Sequence, residues 1–377
     1  MIKKERYYFD WAASAPPDSS PSISNCWGNP SSQHCEGHIA KQVLEEARCR
    51  CAVVLNVSPE TLYFTSGGTE SNCIALYSNL FNKADVRVIA PETEHVSIRD
   101  NLTNLKKLGK LTGKIPVDSS GRVTPQLLAN SLDKYKDVRF AAIMSVNNET
   151  GAITNMPALR DILRSLSGPR VHLHCDMVQA VGKIPIDISL LDIDSASISA
   201  HKIGGPRGIG LLYLRRPIET IYRGGGQERS QRPGTENVLG ALALAACLEK
   251  RAGEALNDDY EHAVRRWKRL INALKNMDRC AFIPENRDEN TFSPYILQAA
   301  FRGIPGEVMT RALDDLGFAV STGSACSSSK TERPVLAAMG IDKDISLESI
   351  RISQGWTTTE EEIDLLIAAI AEVLKFL

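Results

Sequence analysis

Apolar positions along the chain change their period repeatedly, and the changes mark its elements. From Ile39 to Leu55 they recur at helical spacing, which predicts an amphipathic helix. Short apolar runs then alternate with helical patterns. Leu62 to Thr65 leads into a helix ending near Leu80, and Val86 to Ala90 passes through Pro91–Ser97 into another. Val138 to Val146, the strongest continuous apolar run, precedes a helix from Met156 to Leu166. A run of that kind suits a strand buried on both faces of a parallel sheet. Val171 to Cys175 and Ile209 to Leu214 read as further strands, and Ser197-Ile198-Ser199 as a short alternating one that ends in a glycine turn. Strands alternating with helices in this way define an α/β fold.

Val238 to about Ala255 and Tyr260 to Met277 are long helical patterns, and the domain boundary is placed between them. Beyond it come strands at Ile296–Phe301, Phe318–Ser321 and Ser349–Ser353, with a helix from Gly306 to Leu316. A last helix opens with Thr359 and Glu362 at capping-box spacing. With 377 residues the chain exceeds one ordinary core. The expectation is a large domain over 16–255 and a smaller α+β domain built from 1–15 and 256–377.

Composition removes several classes of partner. The formal net charge is -1, with both signs interspersed, so neither nucleic acid nor an anionic membrane is expected as the main partner. Nine irregularly spaced cysteines do not make a secreted disulfide framework, which points to a reducing, cytoplasmic setting. MIKKERYYFDW has no apolar h-region, and the run Ile363–Leu377 is interrupted by Asp364, Glu372 and Lys375. No export signal or membrane span is therefore expected. Cys49 and Cys51 fall on different sides of their helix. His172 and His174 share a strand face, yet no second ligand pair or open-site carboxylate accompanies them, and no metal site is assigned.

A few residues could carry chemistry. Lys202 follows a strand exit, where α/β folds open their crevices, although a solvated loop lysine would look the same. Ser66-Gly67-Gly68-Thr69-Glu70-Ser71 joins a strand to a helix start, which makes either an anion site or a plain turn. His95 sits at another strand-to-helix junction and titrates near neutrality. Asp176 ends a strand, Asn147–Gly151 is a turn sequence, and Gly224–Asn237 reads as a solvated loop. Arg351, among apolar strand residues, needs a partner, either a bidentate substrate carboxylate or an internal acid. Cys326 lies in the small-residue loop Ser321–Ser329.

Taken in order, SGGTES, PETEHVS, NNETG, HCD with Gln179, SISAHKIGGPRGIG, RPGTEN, GSACSS and SIRIS resemble the pyridoxal 5'-phosphate (PLP) enzymes of aminotransferase class V, and more narrowly the cysteine desulfurases. The resemblance implies a PLP-binding domain with a mainly parallel seven-stranded sheet flanked by helices. It assigns Lys202 the Schiff-base position, Gly68, Thr69, Ser199 and His201 the phosphate, and His95 the pyridine ring. Asp176 would face the ring nitrogen, Gln179 the phenolic oxygen, and Asn148 the cofactor and substrate carboxylate. Arg351 would clamp that carboxylate. Thr235 would reach the phosphate of a second subunit, so a homodimer is implied.

Cys326 would be the nucleophile that takes sulfur from L-cysteine, leaving L-alanine and a persulfide for an iron-sulfur scaffold or another thiol acceptor. The chain departs from the family between Pro17 and Gly28, where a longer helix usually precedes the turn Gly28-Asn29-Pro30-Ser31-Ser32. Selenocysteine lyase, an aminotransferase, and a non-catalytic partner of sulfur-transfer machinery are the rival readings. A thiol on the Cys326 loop has no use in a transaminase.

Overall fold

The computed structural model describes residues 6–13, 27–82, 86–165, 170–323 and 333–377. In chain order the first half runs β1 (Tyr7–Tyr8), α1 (Cys35–Leu55), β2 (Leu62–Thr65), α2 (Gly68–Tyr77), β3 (Arg87–Pro91), α3 (Val96–Lys107), β4 (Leu111–Ile115), α4 (Pro125–Lys134), β5 (Val138–Met144), α5 (Met156–Ser165), β6 (His172–Asp176), α6 (Ile188–Leu191), β7 (Ser195–Ser199) and β8 (Gly210–Leu214). The second half runs α7 (Val238–Lys250), α8 (Gly253–Lys275), β9 (Cys280–Ile283), β10 (Ile296–Phe301), α9 (Gly306–Asp315), β11 (Phe318–Ala319), α10 (Pro334–Ala338), α11 (Lys343–Leu347), β12 (Ser349–Ser353) and α12 (Glu360–Phe376).

Seven strands form one sheet in the order β2-β8-β7-β6-β5-β3-β4. Strands β7, β6, β5, β3 and β4 are parallel to one another, and β8 is antiparallel to both β7 and β2. The expected mainly parallel sheet is therefore present. Alternation along its strands explains why both faces are covered. Ile89, Ala141 and Ile143 pack with Leu44, Ala47 and Leu244 from α1 and α7. Val88, Ala90, Phe140 and Ala142 turn the other way, toward Ala75, Leu76, Ile98 and Leu105 of α2 and α3.

A second, antiparallel sheet has the order β12-β10-β9. Its core joins Phe301 and Ile350 to Trp267 and Leu270 of α8, Met309 of α9 and Leu366 of α12. The Thr359–Glu362 capping box is formed at the start of α12. The chain's first segment also belongs here: β1 pairs in parallel with β11, Asp10 bridges to Ser353, and Phe9 enters the same core.

Helix α8 begins at Gly253, earlier than its apolar pattern suggested, so position 255/256 falls within its first turn. Glu254, Asn257, Asp258 and Asp259 hide that turn from a hydrophobic reading. On α1, Cys49 is exposed and Cys51 buried, as their spacing required. Among the described residues no helix is long and apolar enough to cross a membrane.

Candidate active site

The site lies where the parallel strands end, the usual place for a ligand crevice in an open α/β sheet. Strand β6 ends on Asp176, and β7 ends on Ser199 before the tight turn Ala200–Lys202. Gly205 lets that turn fold back, since a Cβ there would stand 2.8 Å from the Ala200 Cβ. From β2 the chain passes through Gly67 (φ +150°) into α2. Gly68 opens that helix so close to the Asp176–Gln179 turn that a Cβ would meet Val178 Cγ2 at 2.5 Å. The helix start therefore stands directly over the end of β6. Its first N–H groups lack intrahelical partners, and they favour an anion.

One cavity of about 260 Å³ gathers these elements. Of the twelve residues named from the sequence, ten line it: Gly68, Thr69, His95, Asn148, Asp176, Gln179, Ser199, His201, Lys202 and Arg351. Thr235 is exposed and lies elsewhere. Cys326 lies outside the described residues.

The charged groups are held in specific ways. Lys202 Nζ donates to the carbonyl oxygens of Ala12 (2.6 Å) and Ala13 (2.8 Å), so the N-terminal segment forms one wall. Gln179 is engaged twice: its Nε2 donates to Ala12 O at 2.9 Å, and its Oε1 accepts from Lys183 Nζ at 2.6 Å. Lys183 is buried, and desolvation first, then the charges of Lys202 and Arg351, hold its amine well below the usual lysine range. Asp176 Oδ1 accepts from the Val178 N–H at 3.0 Å, and its Oδ2 accepts from Asn72 Nδ2 at 2.8 Å. Each oxygen keeps capacity for a further donor.

His95 caps α3, its Nδ1 accepting from the Ser97 N–H at 3.2 Å. Burial chiefly, with Lys202 and Arg99 adding, lowers its pKa and favours the neutral ring, against the opposite pull of Asp176. His201 is pushed down to about 4 by burial and then by the neighbouring cations Lys202, Arg207 and Lys183. Behind Asp176 the fully buried Glu94 accepts from the Met144 N–H, and burial raises its carboxyl well above the usual range.

Arg351 on β12 donates from Nη1 to Asn148 O at 2.9 Å and from Nη2 to Asp10 Oδ1 at 2.7 Å. Its Nε and the Asn148 Oδ1 are buried without a partner. Both residues line the cavity, and each carries one buried polar atom without a partner beside it.

Sequence reading missed Asn72, Lys183, Glu94 and Asp10. Asn72 could have been found, since it stands four residues beyond Gly68 on the same side of α2, whereas Lys183 lies in the turn that follows β6. Asp10 could not, because only the fold brings it to Arg351. The loop Gly224–Asn237 needs a correction as well. It is exposed at Thr235, but Glu228 is buried and binds Arg48 at 2.6 Å and the Phe64 N–H at 2.7 Å. Glu228, Arg229 and Ser230 all take positive φ, so this ion pair fixes a backbone that side chains disfavour.

A helix start for a phosphate, a buried carboxylate for a protonated ring nitrogen, an imidazole and a lysine amine form a donor set that fits PLP. The profile of the family described as Aminotransferase class-V matches residues 18–366, and the chain belongs to that family. Within it the chain is 38% identical to a NifS/IcsS protein homolog of Lactobacillus delbrueckii subsp. bulgaricus, covering 94% of this chain and 91% of the relative. It is 34% identical to the cysteine desulfurase IscS of Vibrio cholerae, with 96% and 91% covered. A solved NifS-like protein superposes with a TM-score of 0.89 at 33% identity, over 99% of this chain and 100% of the other.

Proposed function

We propose that the chain is a PLP-dependent cysteine desulfurase that converts L-cysteine to L-alanine and passes the sulfur on as a persulfide of Cys326. The observation that carries this is the convergence of ten motif residues, drawn from both sheets, on one cavity. Similarity to relatives named as cysteine desulfurases supports the same reading.

When bound, PLP supplies an electron sink next to the substrate Cα. The start of α2, with Ser199 and His201, holds the phosphate, and Asp176 takes the ring N–H. Lys202 anchors the cofactor and moves the Cα proton. Arg351 and Asn148 orient the substrate carboxylate by donating to it from the guanidinium and from the side-chain amide nitrogen. The Cys326 thiolate attacks the substrate sulfur, so a sulfur–sulfur bond forms, the carbon–sulfur bond breaks, and the amino acid leaves as alanine.

The reading extends to a cytoplasmic homodimer in which Thr235, turned away from its own cavity, completes the partner's. It also extends to a division near 255/256 between a cofactor domain and a smaller domain, and to an iron-sulfur scaffold or another thiol as acceptor. Purified protein incubated with PLP and L-cysteine should release alanine in step with persulfide. Cofactor binding without either product would overturn the reading.

A further inference from the structure

An unbroken chain of hydrogen bonds runs behind the cavity. His172 Nε2 lies 2.7 Å from Ser195 Oγ, which lies 2.7 Å from His174 Nδ1. His174 Nε2 lies 2.8 Å from Asn72 Oδ1. The Asn72 amide nitrogen then donates twice, at 2.8 Å to Asp176 Oδ2 and at 2.8 Å to Ser97 Oγ. Ser97 Oγ in turn lies 2.8 Å from His95 Nδ1. Asn72, His174 and Ser195 are all buried.

Donor and acceptor counts fix the direction of this chain. Asp176 can only accept as a carboxylate, so the Asn72 nitrogen must face it and the Asn72 oxygen must face His174. That oxygen needs a donor, which places the His174 proton on Nε2 and leaves Nδ1 to accept from the Ser195 hydroxyl. On the other branch, Ser97 Oγ accepts from Asn72, so its own proton goes to His95 Nδ1. The Ser97 N–H already donates to the same nitrogen. His95 must then carry its proton on Nε2. Every member donates onward toward the cavity, and no polar atom of the Asn72 amide is left over. Burial keeps His172 and His174 neutral, at about 4 and about 3, so the order holds across the working range of pH.

We infer that Asn72, held by His174 from behind, is the positioning residue that sets the hydrogen-bonding pattern of the site: it keeps a donor on Asp176 and fixes the tautomer of His95. This rests on the proposed roles of Asp176 and His95 toward PLP, but the hydrogen-bond order itself is a property of the protein alone. His174 does not line the cavity; its Nε2, which also lies 3.3 Å from Ser197 Oγ, reaches the site through Asn72 at the shorter distance of 2.8 Å. A hydrophobic side chain in its place would leave the Asn72 oxygen buried and unpaired, and the amide would lose the contact that holds it in the orientation that donates to Asp176.

The test has one arm without cofactor and one with it. In the cofactor-free protein, nitrogen-15 NMR of the imidazole rings should find His174 and His95 both protonated at Nε2. A proton on Nδ1 of either ring overturns the inference. His174→Leu should give a mixed His95 tautomer and weaken the dissociation constant of PLP roughly tenfold, as expected for disturbing a hydrogen bond to a charged group. His174→Gln, whose amide can still donate to Asn72, should restore both to near the wild-type value.

A His174→Leu protein that melts cooperatively yet keeps the His95 tautomer and the PLP affinity would show a packing role only, and would overturn the inference. If His174→Leu does not fold, Ser195→Ala serves instead. It removes the donor to Nδ1 but leaves the Asn72 oxygen, which should still hold the His174 proton on Nε2, and a shift of that proton to Nδ1 overturns the inference. Should the wild-type protein not bind PLP at all, the proposed function fails while the NMR arm still decides this inference.

Discussion

The buried guanidinium of Arg351 and the partly exposed carboxylate of Asp10 are paired at 2.7 Å, across 341 residues of sequence. Arg351 is 2% exposed, so its charge needs a counter-charge close by, and Asp10 supplies one. The two partners anticipated for this arginine, an internal acid and a substrate carboxylate, are thus not exclusive. Asp10 takes one donor, and Nε remains for another acceptor. Arg351→Lys keeps the charge but loses the fork, and should raise KM for L-cysteine by about tenfold with kcat changed far less. Steady-state kinetics decides it, and an unchanged KM removes Arg351 from the substrate site. Asp10→Asn should lower stability by about 2–3 kcal/mol in denaturant unfolding, because a buried cation loses its counter-ion.

Lys202→Ala should abolish the borohydride-reducible attachment of PLP. Lys183 is a second, buried lysine that feels the charge of Lys202, and its amine is held by Gln179. Peptide mapping of the reduced wild-type protein should therefore find the cofactor on Lys202. A reducible linkage that persists in the variant would contradict the assignment.

Cys326→Ser should fold and bind PLP, yet release no alanine at a normal rate and carry no persulfide. Cys51 and Cys175 are poor substitutes: burial pushes the Cys51 thiol up to about 12 and raises that of Cys175 further. Mass spectrometry after cysteine treatment should place the extra sulfur on Cys326. Finding it on Cys51 or Cys175 would refute the mechanism.

Sedimentation should show a homodimer. Thr235→Ala should weaken PLP binding although Thr235 lies away from its own chain's cavity. A monomer that binds PLP and turns over would defeat the shared-site reading.

Stability should fall as the pH drops from about 6.5 toward 4. In that window His172 and His174 take up protons when unfolded but not when folded, because their folded values are about 4 and about 3. The unfolded state then binds more protons, which makes stability rise with pH. His95 and His201, also lowered by burial, act in the same sense, whereas Glu94, Glu149, Glu236 and Asp259, raised by burial, work in the opposite sense above their unfolded values. His174→Gln should flatten the slope by about 1.4 kcal/mol per pH unit, one histidine's share. Urea unfolding at a series of pH values reads it, and an equal slope in both proteins would show that His174 is not held neutral.

Much of this was legible in the sequence where a residue's own neighbours decide its environment. The apolar run Val138–Val146 suggests a strand buried on both faces, and β5 lies within it; the turns after β2, β6 and β7 carry their site residues within the motif itself. Leu111–Ile115 escaped notice because Thr112 and Lys114 interrupt its apolar positions at a sheet edge. The pairing of Asp10 with Arg351, and the histidine chain that meets Asn72, were out of reach for a different reason. Each joins residues that no local period relates, and an H-x-H pattern serves a metal or a row of hydrogen bonds equally well until Ser195 is seen between the rings.

The carbonyls of Ala12 and Ala13 that receive Lys202 belong to a segment anchored by Ser353, whose N–H donates to Phe9 O at 2.8 Å and whose Oγ accepts from the Ala12 N–H at 2.9 Å. During synthesis this wall cannot close when residue 202 leaves the ribosome. It must wait for β12, by which time the seven-stranded sheet has long been complete. A nascent chain would carry the cofactor lysine on a finished sheet before this wall has formed, and any product ending before residue 353 would lack the wall's anchor. The last step of folding and the first moment of a usable site are therefore one event, set by the tail of the chain returning to its head.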